Sequence, residues 1–132
     1  MSEMIVNKLT GKTSAGDIDV VSEGGNATMQ LQQGLCKVWA AHVLDAATSQ
    51  DTLNVSSISD TGSGDNRIYL SNSMSYANFS VVSMCSEIGN NTNPRNISLH
   101  DTASNTYRIY GTTPAGSGSS IGSHTAAFGD LA

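Results

Sequence analysis

Charged side chains are scarce in this sequence, and acidic ones outnumber basic ones. Only 13% of the 132 residues are charged and the net charge is −5, whereas an average soluble domain carries roughly 25% charged residues. An acidic chain repels nucleic-acid phosphate, and this one has no basic run that would bind an anionic membrane surface. The composition therefore argues against nucleic acid and membranes as partners.

Long apolar runs and targeting segments are also missing. No stretch approaches the roughly 18 apolar residues of a transmembrane helix. The first eight residues lack the charged region and apolar run of a signal peptide. We therefore expect no membrane insertion.

Cysteine and aromatic residues are too few to stabilise a small fold by themselves. Cys36 and Cys85 lie far apart among apolar neighbours, which favours buried free thiols, with a disulfide as the alternative. One Trp, four Tyr and two Phe give a thin core, so we expect a homo-oligomer. Trp39 is the largest side chain and is expected to anchor that core.

Short matches to catalytic motifs lack the partners that their chemistry requires. In Gly118–Gly122, a Gly-x-Ser-x-Gly match, the downstream acid and histidine stand in the wrong order for a nucleophile elbow. Asp60–Gly62 matches the Asp-Thr-Gly of aspartic proteases but suits a hairpin turn better. Gly11–Thr13 resembles the end of a phosphate-binding loop, yet Val6 occupies the required upstream glycine position. We expect no catalytic residue.

Metal ligands are equally sparse. His42, His100 and His124 are scattered and lack the spacing of zinc ligands. Asp60 and Asp65 supply few ligands for Ca²⁺. We expect no metal and no cofactor, and keep open a histidine site on the symmetry axis of a trimer.

Alternation of apolar and polar residues dominates the chain beyond residue 50. The run from Leu53 to Met74 alternates, breaks at Asp60–Asp65 and alternates again, which predicts a β-hairpin. The regular spacing of short strands predicts a mainly β, antiparallel β-sandwich that is jelly-roll-like. Strands are predicted near 52–59, 65–71, 78–87, 95–101, 105–110 and 120–128.

The beginning of the chain has a different composition. Residues 1–25 are small, polar and rich in glycine, with short extended segments predicted near 4–9 and 17–22. A short helix is predicted at about 27–35, which Gly34 weakens by roughly 1 kcal/mol. The pattern at 37–44 is compatible with helix or strand, and a strand is favoured. We therefore divide the chain into an attachment or stalk segment, 1–25, and a sandwich domain with a leading helix, 26–132.

Four short blocks of sequence carry a family resemblance. They are Gln32-Gln-Gly-Leu-x-Lys-x-Trp39, Asn54-Val-Ser-Ser-Ile-Ser-Asp-x-Gly-x-Gly-Asp65, Met74-x-x-Ala77-x-Phe79-x-Val-Val82 and Ala127-Phe-Gly-Asp130. In this order they resemble virion structural proteins of tailed bacteriophages. The chain is especially similar to short fibre and appendage proteins of marine phages, including those that infect cyanobacteria, over about residues 29–130.

The resemblance implies a non-enzymatic homotrimer in the virion, made in the host cytoplasm and bound to other virion proteins of tail or capsid. Its N-terminal segment would attach to the particle and a neck would form around the threefold axis. The attachment residues expected on this basis are Ile5, Val6, Leu9, Ile18 and Val20. The residues expected at the trimer interface are Leu31, Leu35, Val38 and Trp39.

An alternative function is a host-recognition module of a tail fibre that binds a surface glycan or protein. The loops at 89–94 and 111–119 are small, polar and expected to be flexible. Tyr107 and Tyr110 flank the second loop and supply some aromatic surface. The receptor-contacting residues expected here are Asn90, Asn91, Tyr110 and Ser117.

Overall fold

The structure is a computed structural model that divides into two compact units, residues 1–35 and 36–132. It describes residues 5–13, 18–22, 24–25, 27–44, 46, 48–86, 96–119 and 121–132. The boundary between the units follows Leu35, later in the chain than the predicted boundary after residue 25. The segment from 26 to 35 thus belongs with the N-terminal unit.

The N-terminal unit contains a two-stranded antiparallel ladder and one turn of helix. Strand β1 (Asp19–Val21) pairs with β2 (Thr28–Gln30), and α1 (Leu31–Gly34) follows directly. The predicted helix at 27–35 is therefore wrong over its first half, because residues 28–30 satisfy their backbone groups by pairing with β1. The helix ends at Gly34, as its low helix propensity predicts.

The second unit is an antiparallel β-sandwich, which confirms the predicted fold class. Sheet I has the strand order β4-β3-β10-β7, and sheet II has the order β5-β6-β9-β8. Each of the hairpins β3–β4, β5–β6 and β8–β9 lies within one sheet. The strands are β3 (Val38–Val43), β4 (Thr48–Leu53), β5 (Val55–Gly62), β6 (Asp65–Leu70), β7 (Ser80–Ser86), β8 (Asn96–Ala103), β9 (Thr106–Thr112) and β10 (Gly122–Phe128).

Asn54 marks the corner where the chain passes from sheet I to sheet II. Its backbone φ is 58°, a left-handed conformation that asparagine tolerates better than most residues. Its Oδ1 accepts a hydrogen bond of 2.7 Å from the backbone N–H of Asn72, which holds the corner against the chain that follows β6. The strand predicted at 52–59 is therefore two strands, and Leu53 and Val55 lie in different sheets.

The hydrophobic core lies between the two sheets. Tyr107 of β9 is fully buried, and its hydroxyl forms a hydrogen bond of 2.6 Å with Oγ1 of Thr125 on β10. The ring of Phe79 meets the Tyr107 ring edge-on, with centroids 6.2 Å apart. The other buried members of the core are Val38, Leu44, Ile68, Leu70, Met74, Ile109, Ile121 and Ala127.

Trp39 is not a member of this core, contrary to the prediction. Along β3 the side chains of Val38 and Ala40 are buried, so the alternation of a strand places Trp39 on the opposite face. Tyr107 takes the central position instead. It can do so because Thr125 satisfies its hydroxyl group.

Three polar side chains point into the sandwich beside the apolar core. His42 on β3 lies directly opposite Ser123 on β10, and Asn66 on β6 donates from Nδ2 to the backbone oxygen of Val43 at 3.1 Å. Within the described residues, neither ring nitrogen of His42 has a hydrogen-bond partner. Burial therefore lowers the pKa of His42 to about 4, and the imidazole is neutral at pH 7.

We predict that the sandwich loses stability as the pH falls from 6.5 towards 4. Unfolding frees His42 to take up a proton at its ordinary pKa of 6.5, whereas the folded state holds that pKa near 4. This difference corresponds to about 3 kcal/mol of unfolding free energy, present in full above pH 6.5 and lost progressively below it. Urea unfolding at a series of pH values measures it.

The matched variant is His42→Gln, whose side chain has a similar length and no proton to gain in this range. The exposed histidines His100 and His124 remain in both proteins, so the difference between the two curves isolates His42. Parallel curves for the two proteins between pH 6.5 and 4 would contradict the assignment.

Candidate interaction surface

The residues predicted to attach the chain to a particle lie in the N-terminal unit. Ile5 is 84% exposed, and Val6, Leu9 and Val20 are each about half exposed. Ile18 is partly buried, and its backbone oxygen accepts a hydrogen bond from the N–H of Leu31. Four of the five side chains are thus open to a partner.

The residues predicted at a trimer interface do not form one group. Leu31 and Leu35 belong to the N-terminal unit, where Leu35 is exposed and Leu31 partly buried. Val38 is fully buried in the core of its own sandwich. That part of the prediction is wrong, because a side chain inside the fold cannot reach another copy. Trp39 lies on the outer face of sheet I.

The outer face of sheet I carries a row of apolar side chains across all four strands. Backbone pairing aligns Leu53 of β4 with Trp39 of β3, Trp39 with Ala126 of β10, and Ala126 with Val82 of β7. Residues directly opposite on neighbouring strands share a face and lie close enough to contact one another. The row therefore forms a continuous apolar band.

A second row lies two residues further along and ends at Met84. It aligns Asp51, Ala41, His124 and Met84 across the same strands. We call the five residues Leu53, Trp39, Ala126, Val82 and Met84 the apolar face. Val82 is 59% exposed and Met84 69% exposed. A shallow groove runs over this face, lined by Trp39, Val82, Met84, His124 and Ala126.

The outer face of sheet II carries charged side chains that form ion pairs with one another. Nε of Arg108 donates to Oδ1 of Asp65 at 2.8 Å, and its Nη2 donates to Oδ2. Arg67 pairs with Asp101 at 3.1 Å. The hydrogen bonds from Arg108 lower the pKa of Asp65 below its ordinary value, so the pair stays ionised at neutral pH. The sandwich therefore has one polar and one apolar outer face.

The predicted receptor loop at 111–119 is a hydrogen-bonded hairpin tip with a fixed base. The backbone N–H of Thr113 donates to Ser117 and that of Ser119 to Gly111. Ser117 is exposed and Tyr110 is half-buried, while Asn90 and Asn91 lie outside the described residues. Backbone hydrogen bonds thus connect the two sides of this segment at its base.

Two glycines allow this loop to approach the turn of the β5–β6 hairpin. A Cβ on Gly118 would lie 2.0 Å from the backbone oxygen of Ser63. A Cβ on Gly64 would lie 2.4 Å from the backbone oxygen of Gly111. Backbone therefore packs on backbone here, which only glycine permits. The turn itself is closed by Asp60, whose Oδ1 accepts a hydrogen bond from Gly62 N–H at 2.9 Å.

The described residues offer an apolar surface for binding. Within the described residues, no cluster of three or more His, Cys, Asp or Glu side chains could hold a metal ion. Cys36 and Cys85 are not joined by a disulfide; Cys36 is partly buried and Cys85 is exposed, which corrects the expectation that both thiols are buried. In the part of the chain that the structure describes, no helix has the length and apolar character to cross a bilayer.

Comparison with known proteins gives no relative: no protein-family model, no curated protein and no solved structure matches this sequence. Function is therefore argued from the surfaces of the molecule. Sequence reasoning missed the apolar face as a whole, although it selected Trp39. The signal for it was present, since Val81 and Val82 are adjacent apolar residues in one strand and must point to opposite faces.

We predict that Gly118→Ala destabilises the sandwich by about 3 kcal/mol, because the new methyl group collides with backbone that cannot move aside cheaply. Thermal or urea unfolding measures the loss. The matched control is Gly116→Asn in the same loop. A Cβ at Gly116 meets nothing within 4 Å and its φ is 84°, a left-handed conformation that asparagine tolerates at a cost of about 1 kcal/mol or less. Equal stability of the two variants would show that the loop does not pack on the β5–β6 turn.

Proposed function

We propose that this chain is a non-enzymatic structural protein of a tailed-phage virion, a short homotrimeric appendage on tail or capsid. In this proposal the N-terminal unit attaches to other virion proteins and the sandwich stands outside the particle. The order of sequence blocks that resembles phage appendage proteins gives the family context. The distribution of exposed apolar side chains gives the physical argument.

Exposed apolar side chains are concentrated in the N-terminal unit, and this observation carries the proposal. Among the described residues, thirteen large apolar side chains are exposed, and seven of them lie in the first 35 residues. The seven are Ile5, Val6, Leu9, Val20, Val21, Met29 and Leu35. A surface this apolar gains free energy when a partner covers it. An attachment segment that is covered in the particle meets that requirement.

The attachment role is tested by adding charge to the exposed apolar residues of the leading segment. The double variant Ile5→Asp/Leu9→Asp is expected to lower binding to particles that lack the protein at least about 100-fold, because each carboxylate would be buried against an apolar partner. Co-sedimentation of the purified protein with such particles measures binding. The sandwich should keep its unfolding midpoint, since both residues lie in the other unit.

The matched control is Asn7→Asp/Thr10→Asp, which adds the same two charges at exposed polar positions of the same segment. Its binding should stay within a few-fold of the unmodified chain. If both double variants bind particles as the unmodified chain does, the N-terminal unit is not the anchor and the proposed attachment fails.

Host recognition is the second candidate function, and the geometry of the 113–118 loop supports it. The exposed tip, which includes Ser117, projects from a base that the glycine contacts fix in place. A rigid loop loses little conformational entropy when it binds. If the tip contacts a host glycan or protein, purified protein will compete with phage adsorption and Ser117→Arg will abolish the competition. Adsorption unaffected by excess protein would rule this function out.

A further inference from the structure

We infer that the apolar face of sheet I is the surface through which copies of this chain contact one another. The inference deepens the proposed function and rests on its homo-oligomeric state. It replaces Val38 with side chains on the outer face of sheet I: Leu53, Val82 and Met84, which are exposed, and Trp39 and Ala126, which are partly buried.

Two neighbouring strands of sheet I, β7 and β10, each carry apolar side chains on both of their faces. In β7, Val81 packs against the core while Val82 is 59% exposed. In β10, Ala127 is fully buried, whereas Ala126 lines the outer groove. Antiparallel sheets that face water on one side alternate apolar and polar residues, and strands that are covered on both sides are apolar throughout. At Val81–Val82 and Ala126–Ala127, sheet I thus has the pattern of strands with protein on both sides.

Charge favours a second copy of the chain as the partner. The chain carries a net charge of −5, so two copies repel each other, and the repulsion is smallest when the surfaces that meet are uncharged. The two cross-strand rows of sheet I contain one charged side chain, Asp51, at the edge strand β4. A contact through this face keeps the carboxylates of the two copies apart. It also leaves the ion pairs on the outer face of sheet II undisturbed.

Other classes of partner fit this face less well. A small ligand needs a few polar groups that fix its orientation inside an enclosed cleft, and this groove is shallow and lined mainly by apolar side chains. An anionic lipid surface needs lysine or arginine, which neither row contains. An uncharged protein surface is what remains, and the chain itself presents one.

The size of the face indicates how the copies are arranged. The whole outer face of sheet I, with four strands about 4.8 Å apart and about six residues long at about 3.4 Å per residue, covers roughly 400 Å² in projection, and the apolar face is a part of it. A standard interface buries about 800 Å² on each partner. An isolated pair held by this face alone would be weak. In a closed ring each copy contacts two neighbours, so contacts that are weak singly together hold the assembly, and the proposed trimer is such a ring.

Trp39 makes the test specific to this face, because it is the one tryptophan of the chain. The solution mass of the full chain is measured by light scattering over a wide range of concentration, together with Trp emission and its quenching by acrylamide. The expected result is a mass of three chains of 13.7 kDa at high concentration. On dilution, the emission should shift to longer wavelength and quenching should rise at the same midpoint as the mass falls.

Val82→Glu is expected to raise the dissociation constant at least about 100-fold, because the interface would bury an unpaired carboxylate. Val82 is exposed within one chain, so the variant should fold with an unchanged circular dichroism spectrum. Met84→Glu is the second variant at the same face. The matched control is Tyr69→Glu, an exposed apolar residue on strand β6 of sheet II, and it should leave the mass unchanged.

The outcomes separate this inference from the proposed function. A chain that is monomeric at all concentrations overturns both the contact and the trimeric appendage. An oligomer whose Trp39 stays equally accessible on dilution, and whose mass resists both Val82→Glu and Met84→Glu, overturns the contact alone and leaves the appendage standing. If both variants fail to fold, the Trp39 measurements on the unmodified chain decide the question.

Discussion

The contact between Tyr107 and the opposite sheet is the interaction on which the arrangement of the sandwich depends. The core has few large side chains, and this ring is the largest one that is fully buried. Its hydroxyl bonds to Thr125 of sheet I, so the burial of the ring leaves no polar group unsatisfied. Phe79 packs edge-on against it. Because Tyr107 fixes which faces of the sheets point inward, it also fixes which faces point out.

The outer faces of the two sheets differ in polarity. Sheet II presents Asp65, Arg67, Asp101 and Arg108 as pairs that neutralise each other, which suits permanent contact with water. Sheet I presents apolar side chains that gain nothing from water. The sandwich therefore has a buried hydrophobic core of its own, but the outer face of sheet I leaves apolar side chains in contact with water. The N-terminal unit likewise exposes apolar side chains to water. Its proposed partner is another virion protein, whereas the proposed partner of sheet I is a second copy of the chain.

Local alternation predicted the strands of sheet II well, because these strands have one wet and one dry face. In β6, the buried Ile68 and Leu70 flank the exposed Tyr69, and the pattern of period two is unmistakable. The change of sheet at Asn54 is not visible in the sequence, because a single left-handed residue redirects the chain without interrupting the alternation of apolar and polar residues. Residues 28–30 were predicted as helix but form a strand. They pair with β1, and a prediction from neighbouring residues alone does not include that partner.

Sheet I shows why the candidate surface was harder to predict than the fold. Prediction from sequence places large apolar residues in the core. Trp39 was predicted there because of its size alone. Its neighbours Val38 and Ala40 already occupy the inner face. Two adjacent apolar residues in a strand cannot both point inward, so such runs indicate either a sheet covered on both sides or a single exposed patch. Leu53, Trp39, Ala126 and Val82 align across four strands, so they form one continuous patch and not scattered exposed residues, as the proposed contact between copies requires.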